Sequence, residues 1–303
     1  MSLDADALVD RRRLKRRLRL WQATALVAAI AVATVLLARY SGIVERDHIA
    51  RFQVTGIILQ DSERDTALRK LVHQDHVRAL IVHIDSPGGT VVGGEDLFNT
   101  LRAIAERKPV VAVMGTVATS AAYMTAIGSD RIYAREGTIT GSIGVILQSA
   151  NIIGLLEKLG IEAQAIKSGP LKAVPSPVEP LTEEAREATQ AIVMDLYDFF
   201  VGLVGARRAL DRNTLLPLAD GRIFTGRQAV KNGLIDAIGD ERSALDWLAD
   251  ERQIPRSLPV KTLIIRRDTG SFAELFEGVT GKSLFSNALL LDGLISLWHP
   301  SGR

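Results

Sequence analysis

Leu20 to Ala38 is an apolar run of 19 residues without a charge, LWQATALVAAIAVATVLLA. As a helix it extends roughly 28 Å, close to the hydrocarbon thickness of a bilayer. Trp21 and Tyr40 stand at its two ends, where amphipathic rings favour the membrane interface. Seven of the nine residues from Arg11 to Arg19 are basic, and Arg39 closes the run. The pattern predicts a basic cytoplasmic segment over 1–19 and a single transmembrane helix over 20–38 that contacts membrane lipid. The positive-inside rule then sets everything beyond Tyr40 on the periplasmic or other extracytoplasmic side of an inner or plasma membrane. Two alternatives stand beside it. Ala31-Val32-Ala33 resembles a signal-peptide cleavage site, although the apolar run continues past it. The run could also be a soluble helix with a basic flank.

Beyond a connector at 39–51 the apolar pattern shortens and alternates between two kinds of segment. Val54–Leu59, Ala79–Ile84, Pro109–Met114, Arg131–Ala134, Ser142–Leu147 and Ala163–Ile166 read as strands. Ser62–Gln74, Val91–Arg107, a short stretch from Ser120 and Asn151–Leu159 read as helices. Strands alternating with helices predict an α/β domain with a mostly parallel sheet, placed over 52–270. Asp85-Ser86-Pro87-Gly88-Gly89 reads as a turn after a buried strand. Thr182 is placed to cap a long helix, with Glu183 and Glu184 at its positive end. Ala185, Ala188, Ile192, Leu196, Phe199 and Leu203 predict its buried face, and Arg207–Arg208 its end. In a C-terminal extension at 271–303, Leu284–Trp298 is apolar on more than one face. It reads as a helix packed on the domain, or as a contact with another subunit or a membrane surface.

Composition narrows the chemistry. The 303 residues contain no Cys, which excludes disulfides, thiolate metal sites and Cys nucleophiles. Lys and Arg total 37 against 35 Asp and Glu, so the basic N-terminal segment does not signal a basic body. Aromatics at 5% argue against a stacking platform for nucleic acid. There is no P-loop and no H-E-x-x-H, so neither nucleotide, metal nor other cofactor is expected.

Three segments carry candidate chemistry. In the first, Gly88 and Gly89 let backbone approach a ligand closely, with N–H groups available to an anion; read alone, the segment is a turn. In the second, a strand leads to Ser120 and a helix leaves it, so the hydroxyl would sit at a helix N-terminus; the plainer reading makes Ser120 only a cap. The third is a proline-rich loop, Lys167 to Pro177, that contains Lys172. A lysine in a loop is ordinarily solvated. His48, His73, His76, His83 and His299 offer no convincing base for Ser120. A Ser–Lys pair can work instead if the amine is neutral. An exposed lysine titrates near 10.4, and burial lowers that.

These segments, over residues 50 to 245, resemble the S49 family of serine peptidases, within the ClpP/crotonase superfamily. Asp85-Ser86-Pro87-Gly88-Gly89 matches the oxyanion loop, Thr119-Ser120-Ala121-Ala122-Tyr123 the nucleophile segment and Ser168-Gly169-Pro170-Leu171-Lys172 the base. Thr140-Gly141-Ser142-Ile143-Gly144 and the stretch from Gly221 to Asp236 match as well. Many members have Ser-Gly-Gly-Tyr where this chain has Ser-Ala-Ala-Tyr. The resemblance implies a ClpP/crotonase-like fold and a membrane-anchored serine endopeptidase. Ser120 would be the nucleophile, Lys172 the general base, Gly88 and Gly89 the oxyanion donors and Ser142 the residue that orients the lysine. Substrates would be signal-peptide remnants or similar apolar peptides. It also implies a homo-oligomer of about eight subunits with the dyad formed between neighbours. A crotonase-like acyl-CoA enzyme and a catalytically inactive membrane scaffold are the rival readings.

Overall fold

The computed structural model describes residues 3–41, 46–265 and 295–297. They fall into two units that divide after Arg46. The first is helix α1, Leu3–Ser41. Its stretch Arg17–Val35 is long and apolar enough to cross a membrane, and Trp21, Val27 and Ile30 on it are exposed. Thr24 and Thr34 return their hydroxyls to the carbonyls of Leu20 and Ile30, at 2.9 and 2.6 Å. Each threonine hydroxyl thereby finds a partner within the helix itself.

The second unit is an α/β domain. Its elements in order are β1 (His48–Ile58), α2 (Ser62–Lys70), β2 (Val77–Thr90), α3 (Val91–Ala105), β3 (Val110–Thr119) and α4 (Ala121–Ala126). Then come β4 (Arg131–Ala134), β5 (Ile139–Gly141), α5 (Ile153–Lys158), α6 (Glu183–Arg208) and α7 (Arg212–Leu215). The remainder is β6 (Ile223–Thr225), α8 (Gly226–Lys231), β7 (Ala237–Ile238), α9 (Glu241–Arg252), β8 (Val260–Thr262) and β9 (Ile295–Leu297). The sheet runs β6-β5-β3-β2-β1-β8, with β4 also on β3, β7 on β4 and β9 on β2. All pairings are parallel except β5–β6 and β2–β9.

Both faces of the sheet are covered, which is why the central strands read as continuous apolar runs rather than alternating ones. Leu80, Val82, Ile84, Ala112 and Met114 share one core with α3 and α4. Ala79, Ile81, Val111, Val113 and Tyr133 share the other with Ala244 and Leu248 of α9. His83 takes a position on the α9 face and lies 2.5 Å from Glu241 through Nε2. Arg51 closes the cluster through the second Glu241 oxygen. Burial pushes the Glu241 carboxyl up, but the bonds from Arg51 and His83 outweigh it and hold the group below its usual range.

Several local expectations are corrected. The first strand begins at His48, inside the segment read as a connector. The strand expected over 142–147 ends at Gly141 instead, because Ser142 adopts a left-handed backbone (φ 51°) and donates its N–H to Arg222 O at 2.8 Å. Residues 163–166 form no strand, and Ile166 is fully exposed. Asp85 to Thr90 is not a turn: β2 runs on through it. Thr182 does cap α6, accepting from the Ala185 N–H at 3.2 Å. Burial on α6, however, concentrates at Phe200, Val201 and Val204, while Ile192 is exposed. In the C-terminal run, residues 295–297 are strand rather than helix, and 284–294 and 298 lie outside the described residues.

Candidate active site

The sheet converges at the carboxyl ends of β2 and β3, the position where parallel α/β sheets bind ligands. β2 and β3 are paired from Leu80↔Val110 to Ile84↔Met114, slip in register, and meet once more at Ser86↔Ala118. Thr119 Oγ1 then donates to Pro87 O at 3.0 Å. Ser120 follows at the end of β3 and Gly88 follows Pro87 on β2, so the nucleophile candidate leaves the sheet beside a glycine segment that stays within it.

Ser120 is buried and holds a backbone of φ 59°, ψ −122°. That conformation is strained for any residue with a Cβ. Its hydroxyl makes no capping bond to α4, so the plain capping role is not what keeps the serine there. The backbone is pinned on both sides, its N–H to Gly141 O at 2.8 Å and its carbonyl to the Met124 N–H at 2.9 Å. With the Ser120 N–H taken, the amides of Ala121 and Ala122 head the helix without an intrahelical acceptor. Both alanines are fully buried and helical, so the change from the Gly-Gly pattern fits this backbone. Tyr123 is buried behind them and donates its hydroxyl to Leu234 O at 2.8 Å. Burial pushes that phenol well above its ordinary range.

Relief of the Ser120 strain is measurable. Ser120→Gly is expected to raise stability by about 1 kcal/mol, the strain released less the extra entropy of an unfolded glycine. Urea unfolding of the two chains checks this.

Gly88 and Gly89 are set by β1. Ile57 pairs with Gly88 and Ile58 with Gly89. A Cβ on Gly89 would fall 1.9 Å from Ile58 O, so only glycine allows this approach. Gly88 has φ 114°, again open to glycine. Its N–H donates to Ser86 Oγ at 3.1 Å, while the same hydroxyl donates to Gly56 O at 2.6 Å. Ser86 and Thr119 are thus site residues that the sequence reading passed over. Each is a small polar residue beside a flagged glycine or serine, and nothing in its spacing marks it. A cleft of about 730 Å³ lies on the β1 side, lined by Thr55, Ile57, Ile58, Arg64 and Leu97 among others.

Ser142 lies at this site through the Gly141–Ser120 bond, and it is buried. Lys172 is elsewhere in character: its side chain is exposed, on an arm that runs from about 146 to 181 between β5 and α6. The arm folds back on itself. Ile152 N–H donates to Pro177 O at 2.9 Å, Lys172 N–H to Gly169 O at 3.1 Å, and Lys167 is paired with Glu179. Ser120, Gly88, Gly89 and Ser142 therefore come together within one chain, and Lys172 is presented at the surface. His83 faces α9, opposite the face on which α4 packs, and His48 stacks on His76. Among the described residues no group of three His, Cys, Asp or Glu is arranged to hold a metal.

The model of peptidase family S49 matches residues 102–255, a span that contains Ser120, Ser142 and Lys172. A Synechocystis sp. protein named as a protease is 40% identical over 238 residues, 76% of this chain and 86% of that protein. An Enterococcus faecium protein named as a signal peptide peptidase SppA is 35% identical over 244 residues, 76% of this chain and 70% of that protein. The chloroplastic serine protease SPPA of Arabidopsis thaliana is 30% identical over 229 residues, 75% of this chain but 34% of the longer relative. Among solved structures, a membrane-bound stomatin-specific protease holding a substrate peptide aligns over 79% of this chain and 100% of its own, at 17% identity and a TM-score of 0.48. Ser120, Ser142 and Lys172 lie within a family match that covers half the sequence, and two relatives are identical to it at more than a third of the aligned residues: the chain belongs to peptidase family S49.

Proposed function

We propose that this peptidase is a membrane-anchored serine endopeptidase in which Ser120 is the nucleophile and Lys172 the general base. The observation that carries the reading is Ser120 itself: a buried hydroxyl at the end of a parallel strand, heading a helix, on a backbone strained for its residue type. Such strain persists where the surroundings enforce it, and it clusters at active sites.

The chemistry balances with these residues alone. Lys172 Nζ takes the proton from Ser120 Oγ as the oxygen attacks the scissile carbonyl carbon. The oxyanion that forms is held by backbone N–H groups, with Gly88, Gly89 and the amides heading α4 as donors. The Gly88 amide leaves Ser86 Oγ to do so. The C–N bond breaks, the lysine returns its proton to the leaving amine, and an acyl-Ser120 ester remains. A water gives a proton to Lys172 and attacks the ester; the acid product departs and Ser120 recovers its hydrogen. Ser142 orients the amine by a hydrogen bond. Lys167 is the other lysine of the proline-rich loop, but its pairing with Glu179 favours Lys172 as the base.

A base on an exposed arm is supplied most directly by a neighbouring copy. The arm carries exposed Ile152, Leu155, Leu159, Ile161 and Ile166, an apolar load that a second copy would cover. Closing that interface would also desolvate the amine, which favours its neutral form. A ring of about eight copies satisfies this arrangement. Substrates are apolar peptides such as signal-peptide remnants, reached from a helix at 20–38 that holds the domain on the extracytoplasmic face.

Labelling the purified full chain with a fluorophosphonate probe, followed by mass mapping, tests the reading. Modification of Ser120 is expected, with none in Ser120→Ala. Absence of label in an assembled oligomer would favour the inactive scaffold, and acyl-CoA turnover without label would favour the crotonase-like enzyme.

A further inference from the structure

β3 exchanges partners on its way to Ser120. Val111–Val113 pair with β4, and Val117–Thr119 pair with β5 on the same edge. On the opposite edge the register with β2 slips over the same interval. It passes from Ile84↔Met114 to Ser86↔Ala118, so β2 advances two residues while β3 advances four. The two extra residues of this bulge set where the serine comes to lie. Continued unbroken, the first register would bring Ser120 level with Thr90; the second brings it level with Gly88. At roughly 3.3 Å per residue the slip draws Ser120 back by about 7 Å, to the glycine assigned above as an oxyanion donor. Bulges beside active sites re-aim side chains in this way.

Asp85 stands at the slip. Its Oδ1 accepts the Val117 N–H at 3.0 Å. Its side chain also lies against Gly115, where an added Cβ would fall 2.8 Å from Asp85 Cγ. Two hydroxyls hold the same stretch from the β5 side. Thr138 Oγ1 donates to Gly115 O and Thr140 Oγ1 to Ala118 O, each at 2.7 Å. On the β2 side the Asp85 carboxylate does the holding. We propose that Asp85 is a positioning residue: through Val117 it keeps the two extra residues in the bulge and so keeps Ser120 level with Gly88. It acts through the backbone of β3 and not on substrate. This rests on the reading of Ser120 as the nucleophile. A reacting group misplaced by about 1 Å can lose about 100-fold in rate, and relaxation of this bulge could move Ser120 further than that.

The test compares three full-length variants with the parent: Asp85→Asn, Asp85→Glu and Asp85→Ala. The second-order rate of fluorophosphonate labelling at Ser120 is measured for each, corrected for the folded fraction by urea unfolding. Asparagine keeps an acceptor at the same distance without the charge, so labelling is expected within about threefold of the parent. Glutamate keeps the charge but carries it one methylene too far, and labelling should fall about tenfold; alanine leaves Val117 unheld, and it should fall about 100-fold. A requirement for charge alone would reverse asparagine and glutamate. Labelling of folded Asp85→Ala at the parent rate, or of Asp85→Asn below Asp85→Glu, overturns the proposal; should Asp85→Ala not fold, the order of the other two decides. Amide hydrogen exchange over residues 115–120, read by mass spectrometry, is expected to follow the same order and to quicken at least about tenfold in folded Asp85→Ala. Exchange unchanged in all the variants also overturns it. If exchange responds in this order but the probe fails to mark Ser120 in the parent, Asp85 still braces the bulge and the reading of Ser120 as nucleophile falls.

Discussion

Lys172→Ala is expected to lower kcat/KM on an apolar peptide by at least about 10⁴-fold, the scale seen when one member of a catalytic unit is removed. Nothing in the fold of a single chain depends on this exposed side chain, so oligomer size by light scattering and the unfolding midpoint should stay unchanged. The informative measurement is the mixture. Ser120→Ala subunits keep an intact lysine and Lys172→Ala subunits keep an intact serine. If each base serves the serine of a neighbour, reassembled mixtures contain functional pairs and regain a sizeable fraction of parent activity, rising with the mixing ratio to a maximum near equality. Mixed oligomers verified by tagging that show no activity would exclude the dyad between subunits. Activity retained by Lys172→Ala alone would point to another base, with Lys167 freed from Glu179 the first to examine.

Gly89→Ala should be the most disruptive single-methyl change in the domain. The added Cβ would lie 1.9 Å from the carbonyl oxygen of Ile58, against main chain that cannot swing aside. Relief requires β1 and β2 to part where they pair at Ile57↔Gly88 and Ile58↔Gly89. A loss of about 3 kcal/mol or more is expected, at the upper end of overpacking costs. Because the same movement displaces Gly88 and Pro87 from Thr119, probe labelling of Ser120 should fall by about 100-fold even in the fraction that folds. Urea unfolding read alongside labelling separates the two effects. Stability within 1 kcal/mol of the parent would mean that the strands do not approach this closely.

The repeated alternation of apolar runs with helical periods made the α/β class and the parallel sheet legible, because a sheet covered on both faces needs strands apolar at every position. The runs Ala79–Ile84 and Pro109–Met114 mark the starts of β2 and β3 for that reason, although the strands continue to Thr90 and Thr119. Residues 142–147 and 163–166 carry a strand signal but form no such strands, because an apolar β-branched run has the same local pattern whether or not a partner strand is available. Only the fold supplies the partner. In Asp85–Gly89 Pro and Gly carry the local signal of a turn, yet here the glycines serve close approach to β1, which no local rule reveals.

At the site, the sequence by itself determined which side chains could do chemistry: one serine between a strand and a helix, two adjacent glycines, a lysine in a held loop, and no cysteine to compete. It also determined a run long and apolar enough to cross a membrane, since 19 uncharged residues in a row need no tertiary context to be compatible with lipid. Tertiary structure decided which of these groups meet. It gave Ser120 its strained backbone through Gly141 and Met124, lent Ser86 to the Gly88 amide, sent His83 to the far face, and laid the C-terminal strand along the glycine edge. The reason is that hydrogen bonds and contacts between residues far apart in the chain are set by strand register and packing, and strands apolar on both faces lack the alternation from which register could be read.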